Sequence, residues 1–586
     1  MPYKSSLAQT FNKKQQLNLT VVVIIILIPA AYIFYWITQS GEISTDDYWY
    51  IISHFYSTNG FSSQPTDWLV RSNEHLVLIP AIIYALNIIV TKGSNIGLSS
   101  IALLFALGQA ILLATLLPDN LRRSRSLFVV VLLCISIFCF TPAAAQNWMR
   151  GFSGVAWIGA NLFVTAAIFC LTKLVHSQKI FWAISSLLFA VLGSLTYSTA
   201  IAVFPVLCLA VLLTRLPLRI VLLYVSGAIA VCTIYILTYR TPDYHRPLSP
   251  NASDIFTFIP TYLGAVFTID IDAARSIGIV GLIIAICCVG YWLTPQARTF
   301  RTSWLPWLVL QGYVIGTAFM GAVSRSGFGV ESAMQSRYAS LPSLFWLSLT
   351  VIVLIGLQKF RLNGTTYWQL LITLLAGLTV LILSMYRVGT EASQMIARTA
   401  SLQPLVTLSV QLGVADTDII KQVITPSAGQ FLNLTDALKQ HRLVPFHRPF
   451  QSDSLCAFNQ QLSSDSLKPS TPQVLPGFFD NLTKLTPEIA RVEGWARNRQ
   501  HRDINCVAIL NQNNIVRGFV LTGFPRSDVA KALGRSYAFS GWKGYVRLSP
   551  EDQTLFAYAS SAPHTDWIKL QNAYKLHQTN PFKELN

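Results

Sequence analysis

The chain has 586 residues, of which 52% are hydrophobic and only 12% charged, and its mean hydropathy is +0.48. That composition excludes a string of soluble domains, along with fibrous, disordered and small disulfide-stapled classes, and marks an integral membrane protein. The formal charge is +17, from 43 basic and 26 acidic residues; much of the surplus lies in short loops between apolar runs, so it reports topology rather than nucleic-acid binding, for which no motif is present.

A polar head with Lys4, Lys13 and Lys14 precedes the first apolar run, Leu19 to about Ile37, which reads as an uncleaved first helix with a cytoplasmic N-terminus. Further runs lie at about 98–117, 126–141, 155–174, 180–195, 197–213, 219–238, 274–294, 303–321, 341–358 and 365–386. Each approaches the roughly 20 residues needed to cross a hydrocarbon layer about 30 Å thick. Two shorter runs, Leu76–Thr91 and Ile255–Ile269, are read as interfacial or re-entrant helices, because the basic loops at Arg122–Arg125, Lys173–Lys179, Arg215–Arg219, Arg298–Arg301 and Lys359–Arg361 then all face the cytoplasm. The expectation is about eleven spans, with the long loops 38–97, 142–154, 239–273 and 322–340 and the C-terminal tail outside. Almost no ionisable residue lies within a span, which favours a chemistry site at the outer face over a pore.

The first outer loop opens GEISTDDYWYIISHFY, with Asp46 and Asp47 close to the membrane edge. One reading makes either carboxylate the cap of the helix suggested by YWYIISHFY. The other makes one of them a general base toward an acceptor hydroxyl while its neighbour orients the substrate or binds a cation. RSNEHLVLIP follows, in which Arg71, Glu74 and His75 are read either as a solvated loop or as a substrate-positioning shell on the same cavity. His54, alone in an aromatic helix, reads as structural.

A cytoplasmic N-terminus, one span, an acidic pair at the start of the outer loop and interfacial helices with a segment like NEHLVLIP resemble the GT-C superfamily of polyprenyl-phosphate-sugar-dependent membrane glycosyltransferases. The likeness is to the bacterial branch that decorates O-antigen or other surface glycans, and it covers about residues 15–400 in layout. The resemblance implies an inverting hexosyltransferase in the bacterial inner membrane, with a polyprenyl-phosphate-linked sugar as donor and a lipid-linked or surface glycan as acceptor. It carries a catalytic role onto Asp46 and Asp47 without choosing between them. No cofactor is expected, though a divalent cation at Asp46 and Asp47 is compatible with it. A lipid-linked oligosaccharide transporter and a non-catalytic glycan-assembly protein are the alternatives; a transporter would place charge within the spans.

A departing lipid phosphate needs positive charge at the outer edge. VSRSGFGVESAMQSRYAS supplies Arg325 and Arg337, whose forks match phosphate oxygens, with Tyr338 as a further donor. Anchoring to lipid headgroups is the plainer reading. Arg150, Arg240, His245 and Arg246 are secondary candidates.

The expected domains are 1–390, a GT-C-like catalytic bundle; 391–487, helical and linker, with 451–475 the linker proper; and 488–586, a small all-β sandwich-like domain on the outer side. Seven cysteines lie in apolar runs as small hydrophobes. Cys456 and Cys506 lie in the tail, where an outer location permits a disulfide. Trp495, Trp542 and Tyr545 are read as core aromatics first and sugar-stacking rings second.

Overall fold

The computed structural model describes residue 24 and residues 27–239, 252–359, 364–448, 461–469, 477–497, 506–560 and 567–576. Arg240, His245, Arg246 and Cys456 lie outside the described residues. The chain divides into two compact units, Met1–Ala397 and Arg398–Asn586.

The first unit is a helical bundle. Eight helical stretches among the described residues are long and apolar enough to cross a membrane, some of them joining consecutive helices: Asn95–Thr115, Arg125–Met149, Gly151–Ser177, Leu218–Thr238, Ile271–Leu293, Arg301–Phe328, Ser340–Gln358 and Thr365–Gln411, the last running past Ala397 into the second unit. Leu27–Thr38, Leu78–Thr91, Ile180–Thr196 and Ser198–Leu213 are shorter apolar helices. Outward faces carry Leu222, Ile229, Ile236, Leu237, Ile283 and Ile286, each more than half exposed. Water does not tolerate that much bare hydrocarbon whereas a bilayer core does, which points to a membrane protein.

The two segments expected at the interface are helices of 14 residues, Leu78–Thr91, and 13 residues, Ala252–Gly264. At about 20 Å they are too short to cross the layer. Ala252–Gly264 touches Ile271–Leu293 backbone to backbone: a Cβ on Gly278 would lie 1.8 Å from the Pro260 carbonyl oxygen, and one on Gly264 1.9 Å from that of Ala274. Only glycine permits that approach, the small-residue packing common between membrane helices.

The outer loop is fixed to the bundle by Asn95, which is buried. Its Nδ2 donates to Ser40 Oγ at 3.0 Å and to the Met149 carbonyl at 3.0 Å, and its Oδ1 accepts from the Gly151 amide at 2.8 Å. One amide therefore holds the start of the first loop against the start of Gly151–Ser177, and Asp46 meets Arg150 as a result.

The second unit begins with helices Gln403–Gln411, Thr417–Val423 and Ala428–Gln440 and continues into a sheet. Its seven principal strands are β1 (Gly477–Thr486), β2 (Ile489–Ala496), β3 (Cys506–Asn511), β4 (Val516–Phe524), β5 (Gly541–Arg547), β6 (Thr554–Ser560) and β7 (Trp567–Lys575). They run in the order β6-β3-β4-β5-β2-β1-β7, and β6 also pairs with β7. The sheet thus closes on itself as a barrel, not the expected sandwich. Alternation such as the buried-every-second-residue pattern of IARVEGWA is the same in either architecture, and only the closing pair, Thr554 with Lys575 onward, distinguishes them.

Two further expectations are corrected here. The β region starts at Gly477 rather than 488, because GFFDNLTKLT is too polar at its centre to read as a strand. Part of the expected linker is a structural element: Leu467–Lys468 pairs in parallel with Trp567–Ile568, and Leu462 and Leu467 cover a second apolar cluster of Cys506, Ala508, Leu510, Val516, Tyr558 and Trp567. β3 is consequently buried on both faces, with Val507 and Ile509 in the main core.

Candidate functional site

Glu74, His75, Arg325, Arg337 and Tyr338 line a single cavity of about 290 Å³ in the first unit. They come from two connections of the bundle. Arg71–Ser72 and His75–Leu76 form a two-residue hairpin, with Asn73 in the left-handed region at φ 53°, and this turn delivers Asn73, Glu74 and His75. Arg301–Arg325 ends at Arg325, and short 3₁₀ turns carry Arg337 and Tyr338 into Ser340–Lys359. The remaining wall includes Trp157, Tyr197, Thr199, Tyr235, Phe258 and Tyr262. Tyr197 reaches it because Ile180–Thr196 stops there, its backbone extended at φ −158°, ψ 135°. Aromatic and hydroxyl wall residues went unremarked in sequence, since within apolar runs they look like ordinary core.

The two arginines differ. Arg325 Nη2 donates to Glu74 Oε1 at 2.5 Å, both side chains largely out of water, and His75 Nε2 lies 3.5 Å from the same oxygen. The charge of Arg325 is therefore already balanced, against the expectation of a free two-arginine clamp. Arg337 has no ion-pair partner among the described residues. Its guanidinium lies over the Tyr338 ring at 5.2 Å, and its Nε is buried without a hydrogen-bond partner. Tyr262 Oη and Thr199 Oγ1, on the same cavity, are likewise buried and unpartnered. Leaving such groups dry and unpaired costs about 1–3 kcal/mol each, and three of them face this one cavity.

Asp47 adjoins this cavity through Asn73. Its Oδ2 accepts from Ser72 Oγ at 2.8 Å and from Asn73 Nδ2 at 3.4 Å, and Oδ1 has no donor among the described residues. Burial pushes its carboxyl above the usual Asp range, partly offset by the Ser72 hydrogen bond. Although Asp47 precedes the helix Tyr48–Phe55, its side chain makes no capping bond, so helix capping does not explain it. Asp46, at φ 55°, is occupied: Arg150 Nη1 donates to Oδ1 at 2.9 Å and Thr45 Oγ1 to Oδ2 at 2.8 Å. Arg150 thus takes one oxygen of Asp46, and among the described residues no group of three or more His, Cys, Asp or Glu is arranged to hold a metal ion.

Arg71 is not among the residues that line the cavity, and among the described residues it makes no ion pair with Asp46 or Asp47. His54 bonds the Tyr50 carbonyl at 2.8 Å on the exposed side of its own helix, the structural reading. In the second unit Trp542 and Tyr545 are buried, which removes them as sugar-stacking surfaces, while Trp495 is half-buried against Tyr537. Cys506 is disulfide-bonded. Compared with known proteins, the chain matches no family model, no curated protein and no solved structure, so the functional reading rests on this geometry.

Proposed function

We propose that the chain is a membrane glycosyltransferase of GT-C type that moves a sugar, with inversion, from a polyprenyl-phosphate donor to a hydroxyl of a lipid-linked or surface glycan. The observation that carries this reading is the cavity itself: a buried, unpaired Arg337 Nε with two unpaired hydroxyls, beside a desolvated carboxylate with one open oxygen. An anion on one side and a proton to be removed on the other is what such a transfer requires. The acceptor oxygen attacks the anomeric carbon, its proton passes to Asp47 Oδ1, and the bond from that carbon to the phosphate oxygen breaks. The charge growing on the departing polyprenyl phosphate is met by Arg337, Tyr262 and Thr199. Asp47 is the base because its raised pKa suits proton abstraction and Asp46 is taken up by Arg150. Glu74, Arg325 and His75 form a balanced cluster that shapes the cavity and offers hydrogen bonds to the sugar.

In this reading the site faces the outside of a bacterial plasma membrane. The disulfide at Cys506 supports an oxidising location for the second unit. Two measurements test the reading. Purified protein in nanodiscs, given a panel of polyprenyl-phosphate sugars and glycan acceptors, should release polyprenyl phosphate with at least one pair and cease to do so as Asp47→Asn; no release with any pair would end the proposal. A cysteine introduced at exposed Ser527 should react with an impermeant maleimide in intact cells; reaction only after permeabilisation would refute the outward orientation.

A further inference from the structure

The acidic pair and Arg337 lie almost three hundred positions apart in the chain, yet one short stretch binds both sides. In Gln146–Arg150, Arg150 Nη1 donates to Asp46 Oδ1 at 2.9 Å. Four residues earlier, Gln146 Oε1 accepts from the Arg337 amide at 3.2 Å, its own amide donates to Ser336 Oγ at 3.4 Å, and Asn147 Nδ2 donates to the Arg337 carbonyl at 2.9 Å. Both backbone polar groups of Arg337 are therefore held by adjacent side chains of this stretch.

The stretch is itself rigid. Ala145–Met149 is a short helix, with Trp148 Nε1 bonded to the Thr141 carbonyl at 2.6 Å and the Met149 carbonyl taken by Asn95. Asn147 is wholly buried and uses both ends of its amide: Nδ2 also reaches Ser340 Oγ at 3.4 Å, and Oδ1 accepts from Ser153 Oγ at 2.8 Å. Ser340 in turn accepts from Asn161 Nδ2 at 3.3 Å, and Asn161 Oδ1 from Tyr313 Oη at 2.9 Å. Buried polar groups satisfied on every side in this way have one low-energy arrangement, because shifting any member strands the others. Gln146, Asn147 and Arg150 do not line the cavity.

We propose that Gln146–Arg150 is a positioning element that fixes the separation between the carboxylate pair and the anion-binding Arg337, so that base and leaving-group site are set by a single turn of chain. This rests on the reading of the cavity as a phosphate site and adds to it a cause for its geometry.

The test uses full-length protein in nanodiscs, with farnesyl phosphate as the probe and calorimetric binding as the readout. Gln146 is changed as well as Asn147 because it is half-buried, so truncating it empties less space than truncating wholly buried Asn147. Gln146→Ala should weaken farnesyl phosphate binding about fivefold, the worth of one hydrogen bond, and Asn147→Ala at least as much. In an Arg337→Ala background, Gln146→Ala should have no further effect, since the group it positions is gone; a role in general stability would lower affinity equally in both backgrounds. Wild-type affinity in Gln146→Ala, or the same loss with and without Arg337, overturns the positioning role. Wild-type affinity in Arg337→Ala overturns instead the phosphate reading beneath it.

Discussion

Two buried acid–base arrangements in this chain have opposite character. In the second unit Asp416, fully buried, receives Arg491 Nη1 on both oxygens at 2.8 and 2.7 Å, Tyr545 Oη at 2.9 Å and the Ile419 amide at 3.3 Å. In the first unit Asp47 keeps one oxygen open, and Arg337 Nε, Tyr262 Oη and Thr199 Oγ1 are unmet. Burial is common to both; saturation is what differs between these two. A carboxylate whose lone pairs are all used locks one conformation, and on the reading proposed above the groups left wanting at the cavity find their partners in the ligand.

The comparison breaks most decisively at Asp47. Asp47→Asn should lower transfer by roughly 10²–10⁴-fold, the range for losing a general base, while Asp46→Asn, which only loosens Arg150, should lose much less. Equal losses, measured as initial rates on one donor and acceptor pair, would remove the distinction between an open and an occupied carboxylate.

On the saturated side, Arg491→Ala strands the Asp416 charge and should cost about 3–5 kcal/mol of stability in the second unit, read by denaturant unfolding. The double replacement Asp416→Leu with Arg491→Met should recover much of it, because an apolar pair has nothing left unpaired. A single mutant as stable as the parent would mean the cluster is not holding the unit together.

A smaller effect sharpens the contrast between the arginines. Arg337→Lys keeps a charge but loses the fork, and donor affinity should drop about 10- to 100-fold, the worth of a charged hydrogen bond. If Arg337 only anchored headgroups, lysine would serve equally well, so unchanged affinity returns the loop to that role.

The smallest effect concerns stability against pH. Folding raises the Asp47 pKa, so the folded state holds that proton more tightly than the unfolded chain. The associated stabilisation is present at low pH and is lost as pH rises through the folded pKa. Asn is neutral throughout, so Asp47→Asn should melt at or above the parent temperature near pH 7, with the difference fading as pH falls toward about 4, the ordinary Asp value. The acid limb of the transfer rate should lie above that value as well. A mutant that melts lower at neutral pH would show that the Asp47 charge is stabilised by the fold rather than penalised.

Hydropathy alone located the helices of the first unit, because each apolar run needs only its own length and composition to declare itself, and the acidic pair and the two arginines stood out as charges stranded at the ends of such runs. Composition also separated the β region from the helical one. What the linear order could not convey was which charge meets which. Glu74 claims Arg325 and Arg150 claims Asp46 across 251 and 104 positions, and those pairings decide that Arg337 and Asp47 remain open. Gln146 and Asn147 look like any polar residues beside a span until the 3₁₀ turn bearing Arg337 is laid against them. Barrel closure is of the same kind, since period-two alternation records the face a residue presents and not the strand at its edge. Local pattern depends on neighbours in sequence, so it is written there; saturation, pairing and closure depend on groups that only folding brings within hydrogen-bond reach.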